Sequence, residues 1–324
     1  MTFTKTVELP VSVDEAFALV TQPERLRRWQ TVSAYVDLRA GGDYRWTVTP
    51  GHLASGTYRE VDPGKRVVFG WGWDGSEDLA PDSSTVTITV EPAGDGSRVT
   101  LLHEGLTAEQ AAHHAEGWNH FFERLEKLAN DGDAGQDEWA WAPDPIDPMT
   151  AAEASLAVLQ PVLRSLTNED RVKQTPCADF DCHALAEHLF GSLVSLGNMA
   201  GVTVTNPEEG SLENRVSVMA DQAITAWRAY DGAEVVGGGL PADAARAILS
   251  VEFLLHAWDF AQASGQEVRV SDELVGFVRE MATPLVDGGR ERGAFGAEVT
   301  PGDGASALEA FAAFSGRTPV AVAV

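Results

Sequence analysis

Residues 66–73 read RVVFGWGW and residues 84–91 read STVTITVE, two runs in which large apolar side chains recur at every second position. Such two-residue alternation is typical of strands with one buried face. Four further runs of this kind, separated by Gly, Pro and Asp turns, are expected at residues 32–38, 43–49, 54–61 and 97–103. The pattern predicts an antiparallel meander, with one more short strand at the start of the chain.

Two helical patterns flank these strands. Ser12 and Glu15 have the spacing of a capping box that starts a short helix. Thr107 and Gln110 form a second box, followed by EGWNHFFERLEKL at residues 116–128, in which the large apolar residues have helical spacing. We therefore expect a long helix at the end of the domain, with its apolar stripe covering the sheet.

Residues 131–148 read DGDAGQDEWAWAPDPIDP, a stretch rich in Asp and Pro without apolar periodicity. This composition is typical of a linker between domains. A chain of 324 residues is long enough for two domains that each bury a core. We therefore predict a first domain at residues 1–130, a linker at 131–148 and a second domain at 149–324.

Charge and cysteine content limit the classes of protein. Lys and Arg total 23 against 49 Asp and Glu, and the resulting net charge of -26 repels phosphate backbones and anionic lipids. We therefore predict no nucleic acid and no membrane among the partners. Cys177 and Cys182 are the two cysteines, which excludes a disulfide framework and favours small buried thiols. With no signal-peptide pattern and no apolar run of membrane-spanning length, we expect a cytoplasmic protein.

The second domain is predicted to be helical. Thr150 and Glu153 have capping-box spacing at the start of a first helix. Three more helices are expected at about residues 181–199, 211–230 and 241–264. Four such helices can close a bundle.

The last of these helices contains AILSVEFLLHAWDF at residues 247–260, where Glu252 and His256 are four apart and share one face. An unpaired carboxylate on an apolar helix is costly, so Glu252 either reaches water or contacts a cation. A metal ion would satisfy both residues, and His188 on the second helix is the candidate for a third ligand. From spacing alone, an ordinary surface ion pair and an unremarkable His188 fit equally well.

Five other residues are weaker candidates. Asp259 lies three residues after His256 and could accept a hydrogen bond that orients this imidazole, although solvation at a helix end explains it equally well. In the first domain, Trp71, Trp73 and Trp118 would line a ligand cavity or simply fill the core. His103, near the end of the last strand, could point into that cavity, although a lone histidine more often has a structural role.

The first domain resembles the START-like helix-grip superfamily, in the branch similar to the activator of heat-shock-protein-90 ATPase. The resemblance rests on the opening helix with Pro23 and Trp29, on residues 67–106 and on residues 116–128, and covers nearly all of 1–130. It implies an α+β fold, an antiparallel sheet around a long C-terminal helix, with a cavity that often holds an apolar small molecule. It implies no reaction.

The second domain looks like the DinB and mycothiol-dependent maleylpyruvate isomerase superfamily, on the segments at residues 175–201 and 240–266. The resemblance implies an all-α four-helix bundle that binds a divalent metal through a His on the second helix and a Glu and His four apart on the fourth. These positions fall on His188, Glu252 and His256. Zinc is the expected ion, with nickel, iron or manganese as alternatives. The thiol-binding and substrate-binding residues of the isomerase lie in an additional domain and are not carried over.

Together, these features predict a metal-dependent transferase or isomerase, thiol-linked chemistry included, whose helix-grip domain supplies a small-molecule pocket. The partners would be a small-molecule ligand or substrate and a low-molecular-weight thiol. The alternative is a non-catalytic ligand-binding or stress-response protein, in which the helix-grip domain binds a small molecule or client and the metal is structural. A metal with an exchangeable water would favour the enzyme.

Overall fold

The computed structural model describes residues 1–319. The chain forms two compact units, and the boundary between them in the sequence falls between Asp137 and Glu138. The division falls inside the predicted linker. Asp137 is part of the first unit because its carboxylate lies 3.0 Å from His120 Nε2 and 3.3 Å from Arg124 Nε. The first compact unit therefore extends beyond residue 130, the predicted end of the first domain.

The first unit contains an antiparallel sheet, as predicted. Its strands are β1 (Thr2–Leu9), β2 (Ser33–Val36), β3 (Asp43–Thr49), β4 (His52–Asp62), β5 (Arg66–Trp71), β6 (Ser84–Ala93) and β7 (Gly96–Glu104). The order across the sheet is β1-β7-β6-β5-β4-β3-β2, so β2 to β7 form a meander and β1 pairs with β7. Alternate residues of the strands are buried on one face, for example Val67, Phe69 and Trp71 of β5.

Three helices belong to this sheet: α1 (Val13–Leu19), α2 (Pro23–Leu26) and α3 (Ala108–Asp131). The predicted capping box of α3 is confirmed, since the side chains of Thr107 and Gln110 each accept a backbone N–H from the other residue. The apolar stripe of α3 is buried, with Trp118, Phe121 and Phe122 among its residues. At α1, Ser12 accepts the N–H of Glu15, but the Glu15 carboxylate pairs with Arg25 at 3.3 Å.

The second unit is helical, as predicted. Its helices are α4 (Glu138–Trp141), α5 (Pro148–Ser165), α6 (Cys182–Met199), α7 (Leu212–Arg228), α8 (Ala242–Ser264), α9 (Asp272–Glu291) and α10 (Ala307–Phe314). A two-stranded ribbon joins β8 (Val235–Val236) to β9 (Leu240–Pro241). Helices α5 and α6 each pack against both α7 and α8, while α9 and α10 lie against α8. Helices α9 and α10 were not among the predicted elements.

The capping box predicted at Thr150 and Glu153 is wrong. Helix α5 begins at Pro148, and the Asp147 side chain accepts the N–H groups of Met149 and Thr150 at 2.8 Å. An Asp N-cap followed by Pro is a stronger start signal, because Pro is pre-organised for the first helical position. Thr150 and Glu153 therefore lie inside the helix, where both are buried.

Helix α8 is the central helix of the second unit. Its C-cap is Gly265, whose left-handed conformation (φ 73°) favours glycine. Fifteen of its 23 residues are buried, which is typical of a core helix rather than a surface one. Side chains such as His256 and Asp259 are therefore placed in the interior. Within residues 1–319, no helix combines the length and apolar character needed to cross a bilayer.

A candidate metal centre and an apolar cavity

Three side chains of the second unit converge on one point. His188 on α6 and Glu252 and His256 on α8 each place one donor atom within 4.8 Å of the other two. Glu252 Oε2 lies 3.4 Å from His188 Nε2 and 3.3 Å from His256 Nε2. The imidazole rings are nearly perpendicular with centroids 5.4 Å apart, and Phe180 stacks on the His188 ring. The structure thus brings together the three residues that were predicted as ligands.

Glu252 has an oxygen without a hydrogen bond at this point. Its Oε2 atom is buried and has no hydrogen-bond partner among the described residues, because the two imidazole contacts lack hydrogen-bond geometry. A buried carboxylate oxygen without a partner costs free energy, which a nearby cation would offset. One carboxylate and two neutral imidazoles form a donor set that suits zinc, nickel or iron(II).

Asp259 orients the His256 ring. His256 Nδ1 lies 2.9 Å from Asp259 Oδ2, and a carboxylate only accepts hydrogen bonds, so Nδ1 donates. In the neutral ring the lone pair is therefore on Nε2, the atom that faces Glu252. Arg317 Nε in turn contacts both Asp259 oxygens, at 2.9 and 3.0 Å. The structure places Asp259 where an acceptor for this imidazole was expected and adds a buried cation behind it.

The cluster is open on one side. The His188 side chain is 37% exposed, that of Glu252 16% and that of His256 5%. Burial raises the pKa of Glu252, but the imidazoles beside it outweigh burial and hold the pKa below its ordinary value. Burial lowers the pKa of His256, but the carboxylates of Asp259 and Glu252 outweigh burial and leave it raised. His188 is therefore the member of the cluster most accessible to solvent.

The two cysteines lie outside this cluster. Cys177 is half-buried and Cys182 is buried, and both are free thiols. Burial raises the pKa of each to about 11, so both remain protonated at neutral pH. Burial and protonation agree with the expected role of small buried thiols.

A cavity of about 500 Å³ lies in the first unit, lined by residues of the sheet and of α3. Its volume is in the range of small-molecule sites in proteins. The buried residues of the lining form its floor, and they include Gln30, Val48, Trp71, Leu79, Trp118 and Phe121. The exposed residues mark its mouth, and they include His52, Asp78 and His113.

Two indole N–H groups of this cavity donate hydrogen bonds to histidines. Trp71 Nε1 donates to His114 Nε2 at 3.2 Å, and His114 Nδ1 donates to the Gln110 carbonyl at 2.8 Å. Burial lowers the pKa of His114, so the ring is neutral and both of its nitrogens are occupied. Trp73, also in the lining, packs edge-on against Trp71 with centroids 5.3 Å apart.

His103 positions the Trp118 ring but does not itself line the cavity. Trp118 Nε1 donates to His103 Nδ1 at 3.1 Å, which leaves His103 Nε2 as the donor to Ser84 Oγ at 2.9 Å. His103 has 0% exposure, and burial lowers its pKa to about 3. It is therefore neutral, with both nitrogens bonded, and it positions Trp118. Of the four residues selected for a pocket, Trp71, Trp73 and Trp118 line the cavity and His103 does not.

Several residues of these sites carry no local sequence signal. Gln30 and His114 line the cavity because the chain folds around it, and the Arg317–Asp259 contact joins residues 58 positions apart. Gly117 also lines the cavity, in the middle of α3, where a glycine is unfavourable for the helix. That glycine is a sequence feature that could have drawn further attention to the cavity, beside the three tryptophans.

The family model of the Activator of Hsp90 ATPase homolog 1-like proteins (AHSA1) matches residues 10–130. The match covers strands β2 to β7 and nearly all of α3, but not β1. The first unit is an AHSA1-like helix-grip domain. The predicted resemblance of this domain is thereby confirmed. No curated protein matches the chain.

Solved structures similar to this chain include an AHSA1-like protein from Rhizobium etli, which is 38% identical with a TM-score of 0.36. That match covers 45% of this chain and 88% of the other. An Hsp90 activator from Plasmodium falciparum is 22% identical over 40% of this chain and 95% of its own, with a TM-score of 0.34. DynU16, from the dynemicin biosynthetic locus, is 22% identical with a TM-score of 0.39. The DynU16 match covers 43% of this chain and about half (51%) of that protein.

Proposed function

We propose that the second unit is a DinB-like domain that binds one divalent metal ion through His188, Glu252 and His256. The observation that carries the proposal is the buried Glu252 Oε2, which forms no hydrogen bond among the described residues and lies 3.4 and 3.3 Å from the two imidazole nitrogens. Zinc is the favoured ion, with nickel, iron(II) or manganese as alternatives. The AHSA1-like domain supplies a cavity for a small molecule.

We further propose that the metal serves an enzyme, a transferase or isomerase, with a low-molecular-weight thiol as a candidate co-substrate. A bound ion would polarise a substrate oxygen or lower the pKa of a thiol. Structural metal sites are closed, whereas catalytic ones keep a position open to solvent. The exposure of the His188 and Glu252 side chains, 37% and 16%, favours the open kind.

The surrounding residues fix the tautomer and orientation of the proposed metal ligands. Asp259 keeps the proton of His256 on Nδ1, so Nε2 is free to coordinate. Arg317 balances the charge of Asp259, whose side chain is fully buried. Phe180 stacks on one face of the His188 ring and limits its rotation.

Metal content tests the ligand assignment. Wild-type protein, stripped with a chelator, reloaded with zinc and desalted, should hold about one ion per chain. His188→Ala, His256→Ala and Glu252→Gln should each release it, because each removes a ligand. His183→Ala and Glu187→Gln are matched controls, since both residues are exposed on the same helix as His188. Equal zinc content in the three ligand variants and the two controls would show that the site is elsewhere.

Binding of a thiol tests the catalytic assignment. Cobalt(II)-loaded protein titrated with N-acetylcysteine should develop a new near-ultraviolet absorption band as the thiolate enters the open position. Cys177→Ala should show the same band, because Cys177 is not among the ligands. A cobalt spectrum that does not respond to thiols or to water-competing anions would instead favour a closed, structural metal.

A further inference from the structure

The cavity of the AHSA1-like domain contains one polar group that its surroundings leave unsatisfied. Gln30 lines the cavity and is 3% exposed, yet its Nε2 has no hydrogen-bond partner among the described residues. A buried amide without a partner is costly, and a ligand that pairs with it removes the cost. Gln30 is one of the buried lining residues, so the partner would be an oxygen of a bound molecule that reaches its carboxamide.

We infer that this cavity binds an uncharged, fused-ring aromatic molecule with a carbonyl or hydroxyl oxygen that accepts a hydrogen bond from the Gln30 carboxamide. The inference rests on the ligand-binding role proposed for the first unit, and it names the ligand class. It is independent of the metal site.

The walls favour an aromatic ligand. Trp71, Trp73, Trp118 and Phe121 line the cavity, and the Trp71 and Trp118 rings lie 5.1 Å apart between centroids. Their indole N–H groups are bonded to His114 and His103, as described above. These two indoles therefore offer ring faces and edges to a ligand rather than hydrogen-bond donors. Stacked and edge-to-face contacts with such rings stabilise a planar aromatic molecule.

The charge of the lining favours an uncharged ligand. None of the described residues that line the cavity is Lys or Arg, and His114 is neutral. Asp78 lies at the mouth, in a chain of net charge -26, so a carboxylate or sulfonate would meet repulsion without a Lys or Arg among the described lining residues to offset it. A buried ammonium ion would likewise have no carboxylate on the floor to pair with.

Gly117 gives independent support for a ligand in the cavity. It lines the cavity in the middle of α3, and a Cβ built there would meet no atom within 4 Å. Packing within the domain therefore does not require glycine, although glycine weakens a helix interior relative to alanine. The absent side chain leaves room for a ligand beside Trp118.

The test compares two uncharged tricyclic probes of similar shape, fluorene and 9-fluorenone, of which only fluorenone has a carbonyl. Binding to the full chain is followed by quenching of tryptophan fluorescence. Because fluorenone is also better solvated in water, the informative quantity is the ratio of the two dissociation constants. Gln30→Leu should shift this ratio against fluorenone by about three- to tenfold, the value of one hydrogen bond. Fluorene-2-carboxylate should bind more weakly than fluorene.

Two further variants separate the cavity from general effects. Gly117→Leu fills the space and should weaken both probes by at least about tenfold. Gly276→Leu is the matched control, because Gly276 is an exposed helical glycine of the other unit at which an added Cβ would likewise meet no atom within 4 Å. Gln30→Met replaces Gln30→Leu if the latter does not give a wild-type melting transition.

The outcomes are distinct. A ratio of dissociation constants that shifts against fluorenone in the Gln30 variant, together with weaker binding of both probes by Gly117→Leu, supports the inference. Equal ratios in wild type and the Gln30 variants would overturn the assigned ligand chemistry while leaving a binding cavity. No binding of either probe to wild type would overturn the ligand-binding role of the first unit as well. The zinc content of the same samples reports separately on the metal proposal.

Discussion

Arg317 offers the most demanding test of the interior of the second unit. Arg317 is 8% exposed and Asp259, which it contacts through Nε, is 0% exposed. Replacing Arg317 by Met keeps much of the side-chain volume and removes the charge. The Asp259 carboxylate then remains buried with His256 Nδ1 as its remaining partner in this cluster.

The magnitude follows from the burial of both partners. Removing one partner of a buried ion pair destabilises a protein by about 3–5 kcal/mol, whereas an exposed pair contributes about 0–1 kcal/mol. For a domain of 150–250 residues, 1 kcal/mol lowers the melting temperature by about 2–4 °C. We therefore expect Arg317→Met to lower the melting temperature of the second unit by about 10 °C.

The assay is calorimetric melting of the full chain in chelator, so that a bound ion does not contribute to stability. Arg269→Met is the control, since Arg269 is exposed in the same unit and should shift the transition little. The double variant Asp259→Asn/Arg317→Met should lose less stability than the sum of the losses in the two single variants, because it no longer contains an unpaired buried charge. A melting temperature for Arg317→Met within about 2 °C of the Arg269→Met control would refute the reasoning.

Two predictions concern the first unit. A fragment of residues 1–137 should melt at a higher temperature than one of residues 1–130, because Asp137 pairs with His120 and Arg124; equal melting temperatures would contradict this. Unfolded His103 takes up a proton near its ordinary pKa of 6.5, while the folded residue remains neutral down to about 3, so the first unit should lose stability as the pH falls through that window. His103→Gln should make this loss shallower in urea unfolding at about pH 7 and about pH 4.5, and an unchanged slope would argue against the burial of a neutral His103.

Local patterns were sufficient for much of the fold. The alternation at residues 66–73 and 84–91 identified β5 and β6, and the Thr107–Gln110 box located the start of α3. These features depend on residues within one turn or one strand, so the sequence displays them directly. Local signals also compete, and at α5 the Asp147–Pro148 start prevailed over the box downstream of it.

Other elements were hidden because their patterns are broken or depend on distant residues. Helix α9 contains Pro284 in its interior and a glycine pair near its end, both of which interrupt a helical pattern. The Glu252–His256 spacing was visible, but spacing could not show that Glu252 Oε2 lacks a partner or that Arg317 lies behind Asp259. Those facts depend on tertiary packing. For the same reason, His103 could be placed near the cavity but not behind its wall.

The ligand set of the metal is tested most directly by X-ray absorption spectroscopy of the zinc-loaded full chain. We predict a first coordination sphere of nitrogen and oxygen at about 2.0–2.2 Å in the wild-type chain, with the outer-shell scattering typical of coordinated imidazole rings. We also predict no sulfur neighbour, since both thiols lie outside the cluster. A zinc–sulfur distance of about 2.3 Å, or a spectrum without histidine scattering, would contradict the assignment.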